Sequence, residues 1–246
     1  MIYTTVMSKR PSSTGKKPAR SRAAGPAAAK RVASRPKPGS AVPYHHGDLR
    51  GALLKAADEI LERDGLPGLT LRAVAREAGV SHAAPKHHFG DLTGLVSELA
   101  ATGFRQFNAE MQAADAAGGT PGEKARARAM SYVGYAQAHP GMYTLMFRTE
   151  RLDMARPSLK EAANASFSEL ARAVGASRQD SIAGETLTLE QAADIVRSWS
   201  LVHGFAMLLL DDRLSNVLRR LPPGTDVDAL LRATLRRAGA PMPPQC

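Results

Sequence analysis

A short polar segment carries the side chains of this chain that are best suited to contact another molecule. It contains, in order, Ser81, His82, Ala83, Ala84, Lys86, His87 and His88. Histidine donates hydrogen bonds to guanine edges and to phosphates, and an alanine methyl group either contacts a thymine methyl or simply permits close approach. The chemistry open to these residue types is recognition of DNA. His88 is equally well explained as a packed residue beside Phe89.

The segment Thr70 to Val96 is predicted to form two short helices, joined by a tight turn and followed by the start of a third. An apolar stripe of helical spacing runs through Leu71, Val74, Ala75 and Ala78. Thr70 is the predicted N-cap, and Gly79 ends the helix because glycine readily adopts a left-handed conformation. Ser81 is expected to cap the next helix. Such a helix pair presents side chains to a DNA major groove.

The rest of the chain predicts an all-α protein of about nine helices without a sheet. A helix is expected from Asp48 to Asp64, closed by Gly65, and a long one begins after Asp91. Four capping boxes mark later helix starts, with a hydroxyl three residues before an acidic or amide side chain. They begin at Thr120, Ser158, Thr188 and Thr225. A loop is expected from Gly175 to Thr186, and His139-Pro140 is expected to break a helix.

The positive charge of the chain is concentrated at its N-terminus. The formal net charge is +10, and residues 1–43 hold ten Lys or Arg and no Asp or Glu, which leaves 23 basic and 23 acidic residues elsewhere. This segment is predicted to be disordered, because it has too little apolar surface to offset the entropy of ordering. It is either an arm that follows DNA phosphates or a solvated extension of minor function. The predicted domains are 1–43, a DNA-binding domain at 44–91, a ligand-binding and dimerisation domain at 92–240, and a disordered 241–246.

Several function classes lack the residues that they require. The single cysteine, Cys246, forms neither a disulfide framework nor a metal motif, and the adjacent His45 and His46 lack the spacing of helical metal ligands. No nucleophile elbow, phosphate loop or catalytic carboxylate pair is recognisable, so we expect neither an enzyme nor a cofactor. No apolar run approaches the roughly 18–20 residues of a membrane span. A cytoplasmic protein without a membrane partner is the expectation.

Two stretches resemble the TetR/AcrR family of bacterial transcriptional regulators. They are Tyr44-His-His-Gly-Asp-Leu-Arg50 and Leu69-Thr-Leu-Arg-Ala-Val-Ala-Arg-Glu-Ala-Gly-Val-Ser-His-Ala-Ala-Pro85, followed by His88-Phe89. Trp199-Ser-Leu-Val-His-Gly204, with Ala138-His-Pro-Gly-Met-Tyr-Thr-Leu-Met-Phe147, resembles the C-terminal domain of a subgroup with a Trp-His-Gly motif. The resemblance implies an all-α homodimer with a three-helix DNA-binding domain and a helical ligand domain.

The resemblance also implies which side chains face DNA, and it shows two departures. By position, His82, Ala83, Ala84, Lys86, His87 and His88 face DNA, and Thr70 meets a phosphate. The family usually has a tyrosine at the position of Lys86 and a Lys or Arg at the position of Leu92, both for phosphate contacts. Lys86 can substitute as a mobile point charge, whereas Leu92 cannot. Residues 44–104 hold six basic and eight acidic residues, so this unit is poor in phosphate contacts.

Candidate ligand and dimer residues come from the apolar side chains of the later helices. The candidate pocket comprises Met130, Tyr135, Tyr143, Met146, Phe147, Phe167, Trp199 and His203, which would suit a bulky apolar ligand. The same set also describes an ordinary helical core, and His203 is equally explained as a hydrogen-bonded core or interface residue. The candidate dimer contact comprises Ile195, Val202, Phe205, Leu209, Leu231 and Leu235, which a two-fold four-helix contact would bury.

The sequence therefore predicts a ligand-responsive, homodimeric transcriptional regulator. It would be a repressor that binds double-stranded DNA at an inverted repeat and is released by a small-molecule effector. The alternative is a protein of the same fold that has lost sequence-specific DNA recognition. Such a protein would bind a small molecule, or bind DNA nonspecifically through its N-terminal segment.

Overall fold

The computed structural model describes residues 48–180, 182 and 186–238. Within them the chain forms ten α-helices, one 3₁₀ turn and no strand, which confirms the all-α prediction. The helices are α1 (Leu49–Gly68), α2 (Leu71–Glu77), α3 (Ala84–Phe89), α4 (Leu92–Ala116), α5 (Pro121–Ala138), α6 (Pro140–Met146), α7 (Pro157–Arg178), α8 (Leu189–Leu210), α9 (Ser215–Leu218) and α10 (Val227–Ala238). The 3₁₀ turn is Thr149–Arg151. The helix beyond the expected nine is the four-residue α9, too short for an apolar period to reveal.

Most of the predicted helix ends are confirmed, because their side chains do satisfy free backbone groups. Thr70 accepts a hydrogen bond from the Ala73 amide at 3.1 Å, and Asp91 accepts one from the Gly94 amide at 2.8 Å. The capping boxes at Thr120 and Thr188 both form with reciprocal hydrogen bonds. α1 loses helical geometry at Gly65, and α5 ends at Ala138 before α6 begins at Pro140.

Two capping boxes and one loop boundary were predicted wrongly. α7 begins at Pro157, where the missing amide hydrogen costs nothing, so Ser158 already lies inside the helix. Thr225 donates to the Pro222 carbonyl at 2.8 Å, and Asp226 caps α10 instead by accepting from the Ala229 amide at 2.7 Å. α7 continues to Arg178, three residues beyond the expected loop start.

The long helix α4 connects the two ends of the fold. It packs against α1 and α3 near its beginning, and against α5, α6 and α7 along the rest of its length. Its inward side chains, including Leu95, Leu99 and Phe104, belong to one continuous apolar core that also contains buried side chains of α1, α5, α6 and α8. The N-terminal and C-terminal helices therefore share a core, and α4 cannot shift without disturbing both.

Glu98 of α4 forms a buried ionic junction between the two ends. Its Oε2 lies 2.5 Å from Arg50 Nη2 of α1, and its Oε1 accepts from Arg156 Nε, just before α7, at 2.6 Å. Burial alone would raise the pKa of Glu98, but the hydrogen bonds from Arg156 and Arg50 outweigh it and hold that pKa below its ordinary value of 4.5. The carboxylate thus remains charged at neutral pH and ties three helical segments together.

We expect Glu98→Gln to lower the free energy of unfolding by about 1–2 kcal/mol, because two guanidinium groups lose a shared, mostly buried carboxylate. Since the pKa of Glu98 is lowered by folding, the contribution is present above about pH 4.5 and is lost as the pH falls. Urea unfolding at pH 7 measures the loss. Glu59→Gln, whose side chain pairs with Lys55 on the surface, is the control. Equal stabilities of the two variants would contradict the prediction.

Candidate nucleic-acid interface and ligand site

The helix-turn-helix forms as the sequence predicts, and its turn depends on one glycine. Gly79 has φ +67°, and the Val80 amide donates to the Ala75 carbonyl at 2.9 Å, so the last carbonyls of α2 are satisfied as the chain reverses. The buried side chains of Pro85 and Phe89 hold α3 against the core. A short helix with little stability of its own is thereby fixed in one orientation.

The predicted DNA-contacting residues lie on the outer side of this unit. Thr70, Ser81, His82, Ala83, Lys86 and His87 are exposed, and Ala84 and His88 are half-buried. The ring of His88 lies 5.4 Å from that of His87 and 6.2 Å from that of Phe89, centroid to centroid, so it packs on its neighbours while remaining partly accessible. The contacts of all eight residues with DNA stay a prediction.

Ser81 does not cap α3, contrary to expectation. The helix begins at Ala84, its N-cap position is Ala83, and no side chain accepts a hydrogen bond there. Ser81 contributes only its backbone carbonyl, which accepts from the Ala84 amide at 3.0 Å. Its hydroxyl remains on the exposed side of the turn, so Ser81 is retained only as a candidate DNA contact.

Two of the basic side chains near α3 are already paired with carboxylates of the same chain. Arg50 is held by Glu98 and lies over the Phe89 ring, 5.5 Å from its centroid. Arg63 forms a two-point pair with Glu77, at 3.1 and 3.2 Å, which joins α1 to α2. Leu92 is 39% exposed at the first position of α4, so no charge replaces the basic residue usual in the family.

Two further basic side chains belong to this unit but were counted only in its overall charge. Arg72 and Arg76 are exposed on α2, whose N-cap is Thr70. Alternation of apolar and basic residues along α2 could have singled them out, because the apolar stripe defines the buried face. They add positive charge to a surface that otherwise depends on Lys86 and the histidines.

In the C-terminal domain, an aromatic and hydroxyl cluster surrounds His203. The Nδ1 atom of His203 lies 2.8 Å from the Tyr143 hydroxyl and 3.0 Å from the Tyr132 hydroxyl. Trp199 donates its indole hydrogen to the Tyr132 hydroxyl at 3.3 Å. Phe147 lies edge-on to the His203 ring, with 4.6 Å between centroids. Helices α5, α6 and α8 each contribute to this cluster.

Burial fixes the protonation states within the cluster. It raises the pKa of both Tyr132 and Tyr143, so their hydroxyls stay protonated. It lowers the pKa of His203 below its ordinary value of 6.5, which keeps the imidazole neutral at neutral pH. A neutral ring with its proton on Nε2 accepts the Tyr143 hydroxyl hydrogen at Nδ1, so the cluster is satisfied without a charge.

The structure brings together only part of the predicted pocket. Tyr143, Phe147, Trp199 and His203 are joined by Tyr132, which the sequence analysis missed and whose spacing from Tyr135 and Ala136 on α5 already marked it as buried. Tyr135, Tyr143 and Met146 are fully buried, whereas Met130 is half-buried against the core.

Phe167 is 45% exposed on α7, and within the described residues it makes no aromatic contact with the cluster. Phe167 is therefore not brought together with the His203 cluster, and a ligand contact by Phe167 stays a prediction.

The predicted dimer residues pack largely within their own chain. Ile195, Phe205 and Leu231 are 2%, 6% and 1% exposed, so they pack inside their own chain and offer little area to a second one. Val202, Leu209 and Leu235 are half-buried and rest on the same core. The helical period located the apolar stripes, and a dimer contact through these six residues stays a prediction.

The exposed side of α8 carries a different apolar set. Val196 is 57% exposed, Trp199 39% and Leu208 47%. By length and hydropathy alone α8 is the one helix of the described residues that could cross a membrane. Its packing against α5 and α7, and the charged Asp194 and Arg197 within it, are those of a helix lying on a protein core. Trp199 donates to Tyr132 and so belongs to the His203 cluster, and we therefore call Val196 and Leu208 alone the α8 outer face.

His203 predicts a stability that depends on pH. Because folding lowers its pKa, the unfolded chain binds the proton more readily, so stability is complete above about pH 6.5 and decreases as the pH falls through that value. The groups facing its ring are Tyr132 and Tyr143, which do not titrate in this range. Thermal unfolding from pH 8 to pH 5 should therefore depend on pH more steeply for the natural protein than for His203→Gln. Parallel profiles would contradict the assignment, and His87→Gln, on the outer side of α3, is the control.

Comparison with known proteins yields matches to both parts of the fold. Residues 53–99 match the family model described as "Bacterial regulatory proteins, tetR family", and residues 125–238 match "Tetracyclin repressor-like, C-terminal domain". A search of curated proteins gave no match.

Solved structures extend the comparison over most of the chain. A protein of unknown function from Rhodococcus sp. RHA1 is 34% identical, with a TM-score of 0.65 over 80% of this chain and 96% of its own. The TetR family transcriptional regulator PfmR from Thermus thermophilus is 15% identical, with a TM-score of 0.51 over 76% and 96%. The transcriptional regulator FadR from Bacillus subtilis, solved with stearoyl-CoA, is 15% identical, with a TM-score of 0.56 over 77% and 97%. The last two show likeness of fold alone.

Proposed function

The chain belongs to the TetR family of bacterial regulatory proteins, and we propose that it is a homodimeric, sequence-specific repressor released from DNA by a small molecule. The observation that carries the proposal is the helix-turn-helix whose apolar residues anchor it while its polar residues all lie outside. Pro85 and Phe89 are buried, whereas His82, Lys86 and His87 of the same segment are exposed. A surface of donors and methyl groups on a rigid short helix suits a major groove.

The proposed repressor acts as a two-fold dimer, because one such helix contacts only a few base pairs. Two recognition helices must lie about one DNA turn, roughly 34 Å, apart to read an inverted repeat. The α8 outer face offers the contact, since neither Val196 nor Leu208 packs against an apolar cluster of the described residues. Burying this face against a second copy gives α8 an apolar environment without a membrane, consistent with a cytoplasmic protein.

The cluster around His203 is the proposed effector site. Trp199, Phe147 and His203 are accessible at its edge, and Tyr132 and Tyr143 lie beneath them. Such a site suits an apolar or amphipathic molecule with one hydrogen-bonding group. The Bacillus regulator of similar fold was solved with stearoyl-CoA, so this architecture accommodates an acyl ligand in that protein. The proposed role involves no catalysis.

Two contacts offer a route from the effector site to the DNA-binding helices. Glu62 of α1 accepts hydrogen bonds from the amides of Gly141 and Met142, at 3.2 and 2.9 Å, and so caps α6, which carries Tyr143. Glu98 ties α1 to α4 and to the start of α7. An effector that favours a displaced α6 by several kcal/mol would shift the population away from the DNA-binding arrangement.

Selection of bound fragments from random and genomic DNA by the full-length protein, at near-physiological salt, tests the function. We expect an inverted repeat to be enriched, because a symmetric dimer presents the same helix twice. Ala substitution of both Lys86 and His87 should abolish the enrichment. Arg126→Ala, exposed on α5, should leave it intact.

The exposed Leu92 favours one alternative, a TetR-fold protein without sequence-specific recognition. Uniform recovery of DNA, with a steep salt dependence that disappears when residues 1–43 are removed, would establish that alternative and contradict the proposed operator. Enrichment that survives this removal would place recognition in the helix-turn-helix alone.

The dimer is tested by substitution on the α8 outer face. Leu208→Asp should raise the dimer dissociation constant at least about tenfold, because it places a charge in an apolar contact. Sedimentation over a concentration series measures the change. Met154→Asp is the control, since Met154 is 41% exposed but lies outside α8. A natural protein that is monomeric, or a Leu208→Asp variant that dimerises equally well, would contradict the assignment.

A further inference from the structure

A concave site lies at the opposite end of α5 from its contacts with α6. The end of α4, the beginning of α5 and the end of α7 enclose a cleft of about 420 Å³. Its charged lining consists of Asp115, Lys124, Arg128 and Arg172, with Gln112 beside them. The rest of the lining is alanine, glycine and proline, and these small side chains leave the space open. No residue of the His203 cluster belongs to it. We call it the α4–α5–α7 cleft.

The electrostatics of the cleft depend on one heavily shared carboxylate. Asp115 Oδ2 accepts from Arg128 Nη1 at 2.5 Å and from Arg172 Nη2 at 3.0 Å. Arg172 also donates to Glu169 Oε2 at 2.6 Å, and that oxygen lies 4.0 Å from Arg128 Nη1. With Lys124 included, three cations face two carboxylates. An incoming anion therefore meets net positive charge.

Arg128 is the unusual member of this group. Its side chain is only 10% exposed, yet its one hydrogen bond among the described residues is the one to Asp115. A guanidinium carries five N–H donors, and those of Arg128 that Asp115 does not use remain accessible, since no Arg128 nitrogen is a buried atom without a partner. Because Arg128 lines the cleft, an occupant could reach the donors that Asp115 does not use. Asp115 accepts one hydrogen bond from the Arg128 guanidinium, which can donate two parallel hydrogen bonds to one oxyanion.

We propose that the α4–α5–α7 cleft binds a small organic anion. Its carboxylate or phosphate group would pair with Arg128 and Arg172, near Lys124, because a guanidinium fork matches the geometry of both oxyanions. Its body would be short and apolar, since the walls are Ala116, Ala125, Ala173 and Ala176. The volume lies within the range of small-molecule sites.

The site would also communicate with the His203 cluster. Arg128 and Tyr132 are one helical turn apart on α5 and both are buried, so a shift of Arg128 toward an anion acts on the helix that holds Tyr132. Binding itself does not depend on the proposed function. Only the regulatory consequence, a change in DNA affinity, rests on it.

Calorimetric titration of the full-length protein tests the site with four probes. Hexanoate and hexyl phosphate combine an anionic group with a short apolar body, hexanamide is the neutral control, and inorganic phosphate has no body. We expect one or both of the first two to bind at least tenfold more tightly than hexanamide and inorganic phosphate. The comparison between them identifies a carboxylate or a phosphate as the preferred group. Equal binding of hexanamide and both anions would overturn the proposal.

Variants of the cleft give effects of opposite sign, which a purely structural role would not. Arg172→Gln and Lys124→Gln should each weaken anion binding about tenfold, whereas Arg126→Gln, exposed on α5 outside the cleft, should not. Asp115→Asn should strengthen it several-fold, because it removes the carboxylate that competes for both guanidinium groups. Ala176→Phe should block it without altering charge. Weaker binding by Asp115→Asn, in a variant whose circular dichroism is unchanged, would overturn the site.

The two proposals are separated by measuring DNA release independently. Hexanoate or hexyl phosphate is added to the complex of the protein with its selected DNA, and affinity is followed by fluorescence anisotropy. Calorimetric binding without any change in DNA affinity would confirm the site and overturn its regulatory consequence. Failure to bind the anions, together with normal operator selection, would overturn the site and leave the proposed function standing.

Discussion

The fold depends on a single carboxylate that three helical segments share. Glu98 lies within the first two turns of α4 and is held by Arg50 from α1 and by Arg156 from the approach to α7. A buried carboxylate with two guanidinium partners is costly to leave unpaired, so none of the three segments can move away alone. α4 is consequently not a passive connection. The orientation of the DNA-binding helices is fixed with respect to the C-terminal domain by a contact that is directional as well as apolar.

A second contact also connects α1 to the C-terminal helices, and it consists of hydrogen bonds without an ion pair. Glu62 reaches from α1 to cap α6, and α6 presents Tyr143 to His203. Both contacts involve α1, because Arg50 pairs with Glu98 of α4 and Glu62 caps α6. A movement of either α4 or α6 therefore acts on α1. The network around His203 is uncharged, because burial keeps the imidazole neutral and the tyrosines protonated. An uncharged, hydrogen-bonded cluster can be repacked by an apolar ligand at lower cost than an ion pair, which makes α6 the more easily displaced of the two.

Local chemistry made the helix ends predictable, whereas long-range packing did not follow from the sequence. Thr70 and Gly79 act through backbone groups within a few residues, so their roles can be derived without knowing the fold. The inward side of α8 could not be derived, because α8 is apolar on more than one side and periodicity cannot tell which side meets the core. Phe205 points inward and Leu208 outward, although both are large and apolar. Glu98 gave no signal at all, since its partners are 48 and 58 residues away along the chain.

The distribution of charge constrains how this family member holds DNA. The unit formed by residues 44–104 is net acidic by composition, Arg50 and Arg63 are bound to carboxylates, and Leu92 offers an apolar side chain where a phosphate contact is usual. Each lost phosphate contact reduces both affinity and its dependence on salt, because fewer counterions are released. Base contacts from α3 alone give specificity but little of the nonspecific attraction that brings a protein to DNA. Residues 1–43 hold ten cations without an opposing charge, and the hypothesis of an arm that follows phosphates predicts that they supply this attraction. Under that hypothesis, base recognition and attraction to DNA lie in different parts of the chain and can be removed one at a time.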